Sequence, residues 1–535
     1  MFRFFHAESK TIIGAATIVG IFSFLADFVG FIRDRVLAGM FGAGATLDVY
    51  YAAFKIPDFL FSLIVIGAIS SSFIPLFTKN YFSERRESAW EFTNSILHLI
   101  GGGMLVASIL LFIFAHPLST LIAPGFDPLK QSQVAEFMRV MLCAQMLLAF
   151  SLIFGSVLQG LKRFFLYALA PVLYNLGIIL GALVFAKIWG PIGLAWGVVL
   201  GAALHLCTQC IGSVAAGYSY HFRFNLKDQE ARKMLMMTGP RILGIAIAQL
   251  LFLVLTVFAT TMSAGSLTIF QFAYNIQFFA VGTIGVSFAI AAFPTFSEAL
   301  SKDDPDGFRR SFASTIRQIL FFMIPLMMLF LILRAQIVRV VVGAGAFDWQ
   351  ATILTADTLA FFALTFIPQA FVYVLARAFF ALHDTVTPLT AGLVAGLVGV
   401  ISAFLFAPHF GVIGLGMAFS LSAVVNAVLL WVPLRQRMQS LHEATILQSL
   451  LKLSVAGIAC GLVMQGLKPV VLHFLSLETF FGVLFQGILA GGAGFVVYLL
   501  IAWFLKVEEL HSFLAVLQRK FLRKIRLDET VSLPK

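Results

Sequence analysis

Charge is what this chain of 535 residues is short of. Asp, Glu, Lys and Arg make up 11% of it, against 60% hydrophobic residues. Soluble globular chains carry about 25% charged and 45–50% apolar residues. So few charges cannot clothe several hydrophobic cores in polar surface, which excludes a soluble multidomain protein and makes lipid the solvent. Cysteine is scarce too. Cys143, Cys207, Cys210 and Cys460 all lie in apolar stretches, so neither a disulfide framework nor a redox compartment follows. Cys207-Thr-Gln-Cys210 has metal-ligand spacing but lacks a second pair or an adjacent histidine, and reads as buried small residues. No Gly-x-x-x-x-Gly-Lys-[Ser/Thr] loop is present, so ATP hydrolysis on this chain is not expected. The ten histidines form no pair at helical ligand spacing. Asp303-Asp-Pro-Asp306 reads as a solvated connection rather than a metal-sugar-nucleotide site. The chain is therefore not expected to be an enzyme, nor to hold a metal or a cofactor.

Long apolar runs are what it has in abundance. About 20 apolar residues cross a bilayer as a helix. By that ruler roughly fourteen spans emerge, near 11–41, 46–77, 90–115, 133–160, 164–187, 191–218, 231–262, 266–299, 311–334, 354–381, 386–407, 411–437, 446–473 and 480–506. The run after Met1 to Lys10 has no small-residue cleavage site and reads as a retained first span. Continuous rather than alternating apolar runs exclude a β-barrel. The predicted fold class is an all-α polytopic membrane protein of about 14 transmembrane helices.

The net charge of +11 is unevenly spread. Even-numbered connections carry Lys79, Arg85, Arg86, Lys162, Arg163, Arg223, Lys227, Arg232, Lys233, Lys302, Arg309, Arg310, Arg435 and Arg437. The odd-numbered connections hold only about five basic residues, among them Lys130, Lys187, Arg339 and Lys468, against roughly two dozen opposite. By the positive-inside rule both termini are expected in the cytoplasm, as an even number of spans requires. The basic tail, with Arg519, Lys520, Arg523, Lys524 and Arg526, then reads as a topology and lipid-headgroup signal. No groove-reading motif accompanies it, so nucleic acid is not an expected partner.

The chain also repeats itself at an offset of about 220 residues. Gly190-Pro-Ile-Gly-Leu-Ala195 recurs as Gly411-Val-Ile-Gly-Leu-Gly416, Phe73-Ile-Pro75-Leu-Phe77 as Phe293-Pro-Thr-Phe296, and Pro171 as Pro388. Six spans separate the copies, so both keep one orientation. The expected organisation is an N-terminal lobe over 1–218 and a C-terminal lobe over 219–437, related by a pseudo-two-fold along the membrane normal. Two additional helices follow over 438–506, then a cytoplasmic tail over 507–535. Such duplicated bundles around a polar cleft suit alternating-access transport.

Charges at membrane depth cost at least ~2.5 kcal/mol and should face a cavity or a partner. The first two spans hold Asp27, Arg33, Asp34, Arg35, Asp48, Lys55 and Asp58. Asp27 and Asp34 are seven apart and share a helical face, and Asp48 and Lys55 repeat that spacing. Asp27, Asp34 and Asp48 are expected to set the charge of a cavity, as gating or ion-coupling groups. Arg241, Gln249, Gln271, Asn275, Gln277 and Asn175 add polar groups in other spans, either cavity-lining or interhelical glue.

Gly30-Phe-Ile-Arg-Asp34, Phe41-Gly-Ala-Gly44, Asp48, Phe54-Lys-Ile-Pro57 and Phe73-Ile-Pro75 resemble the opening of the MurJ (MviN) lipid II flippases. These belong to the multidrug/oligosaccharidyl-lipid/polysaccharide exporter superfamily. Thr238-Gly-Pro240, Ile242-Leu-Gly244 and Phe379-Phe-Ala-Leu-His-Asp-Thr-Val-Thr-Pro388 extend the resemblance across the chain. It implies fourteen helices, two six-helix lobes and a groove for a polyprenyl tail on the last two helices. The implied cargo is an undecaprenyl-pyrophosphate-linked peptidoglycan precursor, moved from the inner to the outer leaflet of the bacterial inner membrane. The implied partners are that lipid-linked glycan, membrane lipids and cell-wall synthesis enzymes.

Of the arginines the family usually places in spans one, two and eight, Arg33 matches. Asp27 stands where another would precede Gly30, none occurs around Phe61-Ser62, and Asn275 holds the matching position in span eight. Ile66 replaces a family acidic residue. Arg33, Lys55, Arg241 and Asn275 are therefore the expected substrate-binding residues, Lys55 and Arg241 compensating for missing arginines. Other readings compete with the lipid II flippase: a cation-coupled exporter of amphipathic drugs using Asp27, a flippase of another lipid-linked oligosaccharide on the same fold, and a non-transporting scaffold for cell-wall enzymes.

Overall fold

The computed structural model describes residues 12–66, 73–83, 86–222, 246, 249–473 and 479–515. The described secondary structure is helical, and each of the fourteen ranges read from the sequence contains a described helix. In chain order these are α1 (Ile12–Phe41), α2 (Ala45–Phe61), α3 (Phe73–Phe82), α4 (Arg86–Ile113), α5 (Ala115–Ile122), α6 (Pro128–Gly160), α7 (Phe164–Leu180) and α8 (Gly193–Val214). The series continues with α9 (Gln249–Thr260), α10 (Ser266–Val281), α11 (Ser287–Ser301), α12 (Pro305–Ile332), α13 (Arg334–Val341), α14 (Trp349–Leu364), α15 (Phe366–Ala381), α16 (Val386–Phe410) and α17 (Val412–Met438). The last two spans are α18 (Glu443–Leu472) and α19 (Phe480–Phe504), and residues 508–515 form α20. Among the described residues, nine helical stretches are long and apolar enough to cross a membrane. The pair α14–α15, bent by 43°, makes a tenth.

Local chemistry sets the helix starts. Asp127 accepts the Lys130 amide at 2.9 Å with Pro128 in the first turn, and Asp304 accepts the Gly307 amide at 2.8 Å with Pro305 beside it. Each carboxylate satisfies an orphan N–H, and proline has none to lose there. Among the described residues, three spans contain a single wide π turn instead of continuous α helix: Ser62–Ile66 after α2, Gly181–Phe185 after α7 and Gly282–Val286 between α10 and α11.

The offset near 220 is written into the backbone as well. The π turns at Ser62–Ile66 and Gly282–Val286 stand in register with it. Gly190 and Gly411 both take left-handed φ values, +72° and +57°. Three residues on, a Cβ on Gly193 or on Gly414 would collide with the backbone of Phe185 or Phe406 respectively. Lys162 and His383 both end a helix with left-handed φ, +59° and +57°, inside the same pair of return hydrogen bonds. Corresponding turns therefore close in the same way in both copies.

Two compact units emerge from the packing, neither continuous in sequence. The first comprises Met1–Phe272, Val341–Thr355 and Gly392–Ala418; the second comprises Ala273–Val340, Ala356–Ala391 and Phe419–Lys535. In the first, α6 is the hub, touching α2, α4 and α8 through small residues such as Ala144, Ala149, Ser151 and Gly155. In the second, α18 packs on α12 and α19, with α11 on α12 and α15.

With lipid on all sides, spans associate by close van der Waals contact rather than by hydrophobic burial. The antiparallel pair α7 and α8 shows the result: Gly177 faces Gly201, and Gly181 faces Gly197, backbone on backbone. Gly197→Leu must push these helices apart, an overpacking cost of about 1–3 kcal/mol or more. The variant is expected to lose its folded, monodisperse peak in detergent, whereas a lipid-facing control, Val184→Leu, should not.

Candidate functional site

Helix α1 presents three distinct stripes. Ala26 and Val29 are buried against Val172, with Phe22, Leu169 and Ile179 around them. Ile21, Leu25, Phe28 and Ile32 form an exposed apolar stripe suited to lipid. Asp27 lies on neither; it is exposed on the arc that leads, seven residues on, to Asp34. Asp34 itself is buried. Its Oδ1 accepts from Arg33 Nε at 2.9 Å and from Arg33 Nη2 at 2.7 Å. Arg33 Nη1 donates to Asn175 Oδ1 at 2.8 Å, and Asn175 Nδ2 donates to the Ala26 carbonyl at 3.1 Å. A guanidinium has five N–H donors, so this network leaves two of them unspent. The Arg33 side chain keeps 22% exposure.

On α2 the charges divide by role. Asp48 is buried, and its carboxylate reaches the first turn of α10. Oδ2 accepts from the Gly265 amide at 2.6 Å, while Oδ1 accepts from the Thr268 amide at 2.9 Å and its hydroxyl at 2.7 Å. The carboxylate thus caps another helix, satisfying orphan N–H groups and complementing the positive end of its dipole. Nearby, the Ala346 amide donates to the Gly39 carbonyl at 2.9 Å. At this end of the first unit the connections before α2 and α10 and the segment after α13 are locked by backbone and carboxylate contacts.

Lys55 lies two turns further along α2. Its Nζ donates to Gln271 Oε1 at 2.9 Å and stands 4.4 Å from the centroid of the Phe252 ring. A neutral amide and a π face hold the ammonium without cancelling its charge. One turn on, Asp58 Oδ1 accepts from Gln145 Nε2 at 2.7 Å. Ser62, opening the π turn, accepts from Gln249 Nε2 at 3.1 Å. The Tyr51 hydroxyl is buried with no hydrogen-bond partner among the described residues.

The structure therefore gathers Arg33 and Asp34 around Asn175, and Lys55 and Asp58 around Gln271 and Gln145. Asp48 is placed in a separate helix cap. Asn275 is half-buried on α10, one turn beyond Gln271 on the same face. Arg241 lies outside the described residues. Gln277 Nε2 donates to Gln369 Oε1 at 2.7 Å, so of the two roles open to these amides it takes that of interhelical glue. Cys207 differs from expectation: it is exposed and Cys210 only half-buried, because residues three apart on α8 straddle the edge of its packed stripe. Sequence reasoning passed over Gln145, Thr268 and Tyr51. The detectable signal was Gln145, an isolated amide in the otherwise apolar Met141–Phe150 segment.

Comparison with known proteins follows the same pattern. Residues 37–485 match the family model described as lipid II flippase MurJ. The "probable lipid II flippase MurJ" of Buchnera aphidicola (subspecies Acyrthosiphon pisum) is 26% identical over 467 residues, covering 86% of this chain and 90% of that protein. Its counterpart from Thermotoga maritima is 26% identical over 492 residues, covering 92% and 96%. Among solved structures, a lipid II flippase MurJ in an inward closed conformation superposes with a TM-score of 0.74 at 22% identity, covering 92% of this chain and 99% of that one. An inward-facing multidrug resistance MATE transporter of the MOP superfamily gives 0.66 at 14% identity, covering 78% and 96%. These structural likenesses speak for the fold.

Proposed function

We propose that this chain, which belongs to the lipid II flippase MurJ family, carries a polyprenyl-pyrophosphate-linked peptidoglycan precursor from the inner to the outer leaflet by alternating access. The family match over residues 37–485 carries the reading. The chemistry of the first two spans supports it. A pyrophosphate-sugar headgroup cannot cross bare hydrocarbon without paying its full desolvation cost. The lipid tail can stay in the bilayer, so only the headgroup needs a polar path.

In this reading Arg33 and Lys55 bind headgroup oxygens, helped by Arg241 and Asn275. The unspent N–H groups of Arg33 offer a planar fork that matches phosphate. Lys55 offers a point charge held by neutral partners, free to exchange Gln271 for a phosphate oxygen. Asp34 compensates Arg33 while no cargo is present, which makes burying that pair tolerable. Asp27 sets the charge of the route. The Asp48 cap and the Gly39–Ala346 contact hold shut the end of the first unit opposite the basic connections. Both termini are cytoplasmic in this orientation, and no bond of the cargo is made or broken.

Depletion of the protein is expected to stop outer-leaflet appearance of the lipid-linked precursor and to accumulate it on the inner leaflet. The purified protein in vesicles should restore its movement. Loss of drug efflux with no change in lipid-linked precursor would replace this reading with the exporter. Full complementation by a variant stripped of Asp27, Arg33, Asp34, Lys55 and Asp58 would replace it with the scaffold.

A further inference from the structure

The last span ends at Phe504 and the chain turns at once: Lys506 takes a left-handed φ of +50°, and α20 begins at residue 508. Between the span end and α20 lies a cavity of about 740 Å³ lined by Trp503, Phe504, Lys506, Glu508, His511 and Ser512. Trp503 and Phe504 are 55% and 72% exposed, so two large rings stand at the membrane-interface level of the span. An exposed ring and a lysine at a span end are an ordinary interfacial belt. Here, however, the chain doubles back, so rings and polar groups share one concave wall.

The acidic member of that wall is already engaged. Glu508 Oε2 accepts from Arg317 Nη2 at 2.6 Å, and the buried Glu509 beside it accepts from Arg317 Nε and from Ser449 Oγ. The guanidinium of Arg317 holds the Glu508 carboxyl below the usual range. Lys506, by contrast, makes no ion pair among the described residues, and its ammonium is exposed. His511 Nδ1 lies 2.9 Å from the Val507 carbonyl. A carbonyl only accepts, so Nδ1 donates here, and in the neutral ring Nε2 is the acceptor. The cavity thus offers one uncompensated cation, a hydroxyl, one ring-nitrogen acceptor and an apolar flank.

We propose that this cavity binds an acidic glycerophospholipid with a hydroxylated headgroup, of the phosphatidylglycerol type. Lys506 and Ser512 donate to its phosphate oxygens, His511 Nε2 accepts from a headgroup hydroxyl, and the acyl chains run along Trp503 and Phe504. The orientation proposed above decides only which leaflet supplies the lipid.

Native mass spectrometry of the full chain, released from detergent with equal amounts of phosphatidylglycerol and phosphatidylethanolamine, tests this directly. A lysine near the surface contributes about 1 kcal/mol toward an anionic lipid, so the wild type should favour phosphatidylglycerol about five-fold. Lys506→Asn with His511→Phe should bring that ratio near one with the melting temperature unchanged. If the double variant does not fold, Ser512→Asp, which sets a carboxylate in the cavity, should give the same loss. Millimolar inorganic phosphate should leave the lipid bound. An unchanged ratio in the variants, or displacement by inorganic phosphate, overturns the proposal. The readout is independent of flipping, so an inactive wild type would count against the proposed function and leave the lipid ratio to decide this site.

Discussion

Arg33→Ala is expected to abolish movement of the lipid-linked precursor, and also to destabilise the protein. Removing the guanidinium leaves Asp34 buried without its cation, a cost of about 3–5 kcal/mol. A dead variant alone would therefore not separate binding from folding. The double variant Arg33→Ala with Asp34→Asn does: the buried pair becomes neutral, and insertion and thermal stability should return. Transport should not, because the headgroup still lacks a planar donor fork; about 1.5–3 kcal/mol per charge-assisted contact makes two contacts worth on the order of 100-fold or more. Arg33→Lys should fall between, keeping charge but losing the fork. Transport measured in vesicles beside a melting curve decides the matter. Recovery of transport in the double variant would show that Arg33 serves Asp34 and not the cargo.

Asp48→Asn should be nearly as damaging as Asp48→Ala. The carboxylate accepts three hydrogen bonds through two oxygens, two of them from backbone N–H groups of the first turn of α10. An amide supplies a single acceptor oxygen and turns an NH₂ toward the remaining donor, so one buried N–H goes unmet at a cost of about 1–3 kcal/mol. Hydrogen exchange should show the Gly265 and Thr268 amides losing protection first. Thr268→Val removes only the hydroxyl bond and should cost about 1 kcal/mol. Unchanged exchange at Gly265 in Asp48→Asn would mean that the cap holds nothing shut.

The architecture was readable in the sequence because lipid imposes a length and a composition on every span, and no soluble core does that. The duplication was readable because left-handed turns and tight crossings demand particular residues, glycine at Gly190 and Gly411 above all. Arg33 and Asp34 were readable as expensive charges. What escaped were the mates: Asn175 is 142 positions from Arg33 and Thr268 is 220 from Asp48, and nothing local marks such pairings. For the same reason Asp48, indistinguishable in sequence from Asp27, proved to be fastened to a helix start. The π turns also left no trace, since one extra residue in a turn does not disturb the apolar run around it.

Those wide turns give the spans a joint. Each carries one residue more than an α turn, so tightening it would spin everything downstream by about 100° around the axis without tilting the span. In hydrocarbon a carbonyl released during such a spin has no water to greet it, and must be met by a side chain. Ser62, clasped by Gln249, already places a hydroxyl and an amide beside the first of these joints. A span so equipped can present a different set of side chains along its downstream half without tilting in the bilayer.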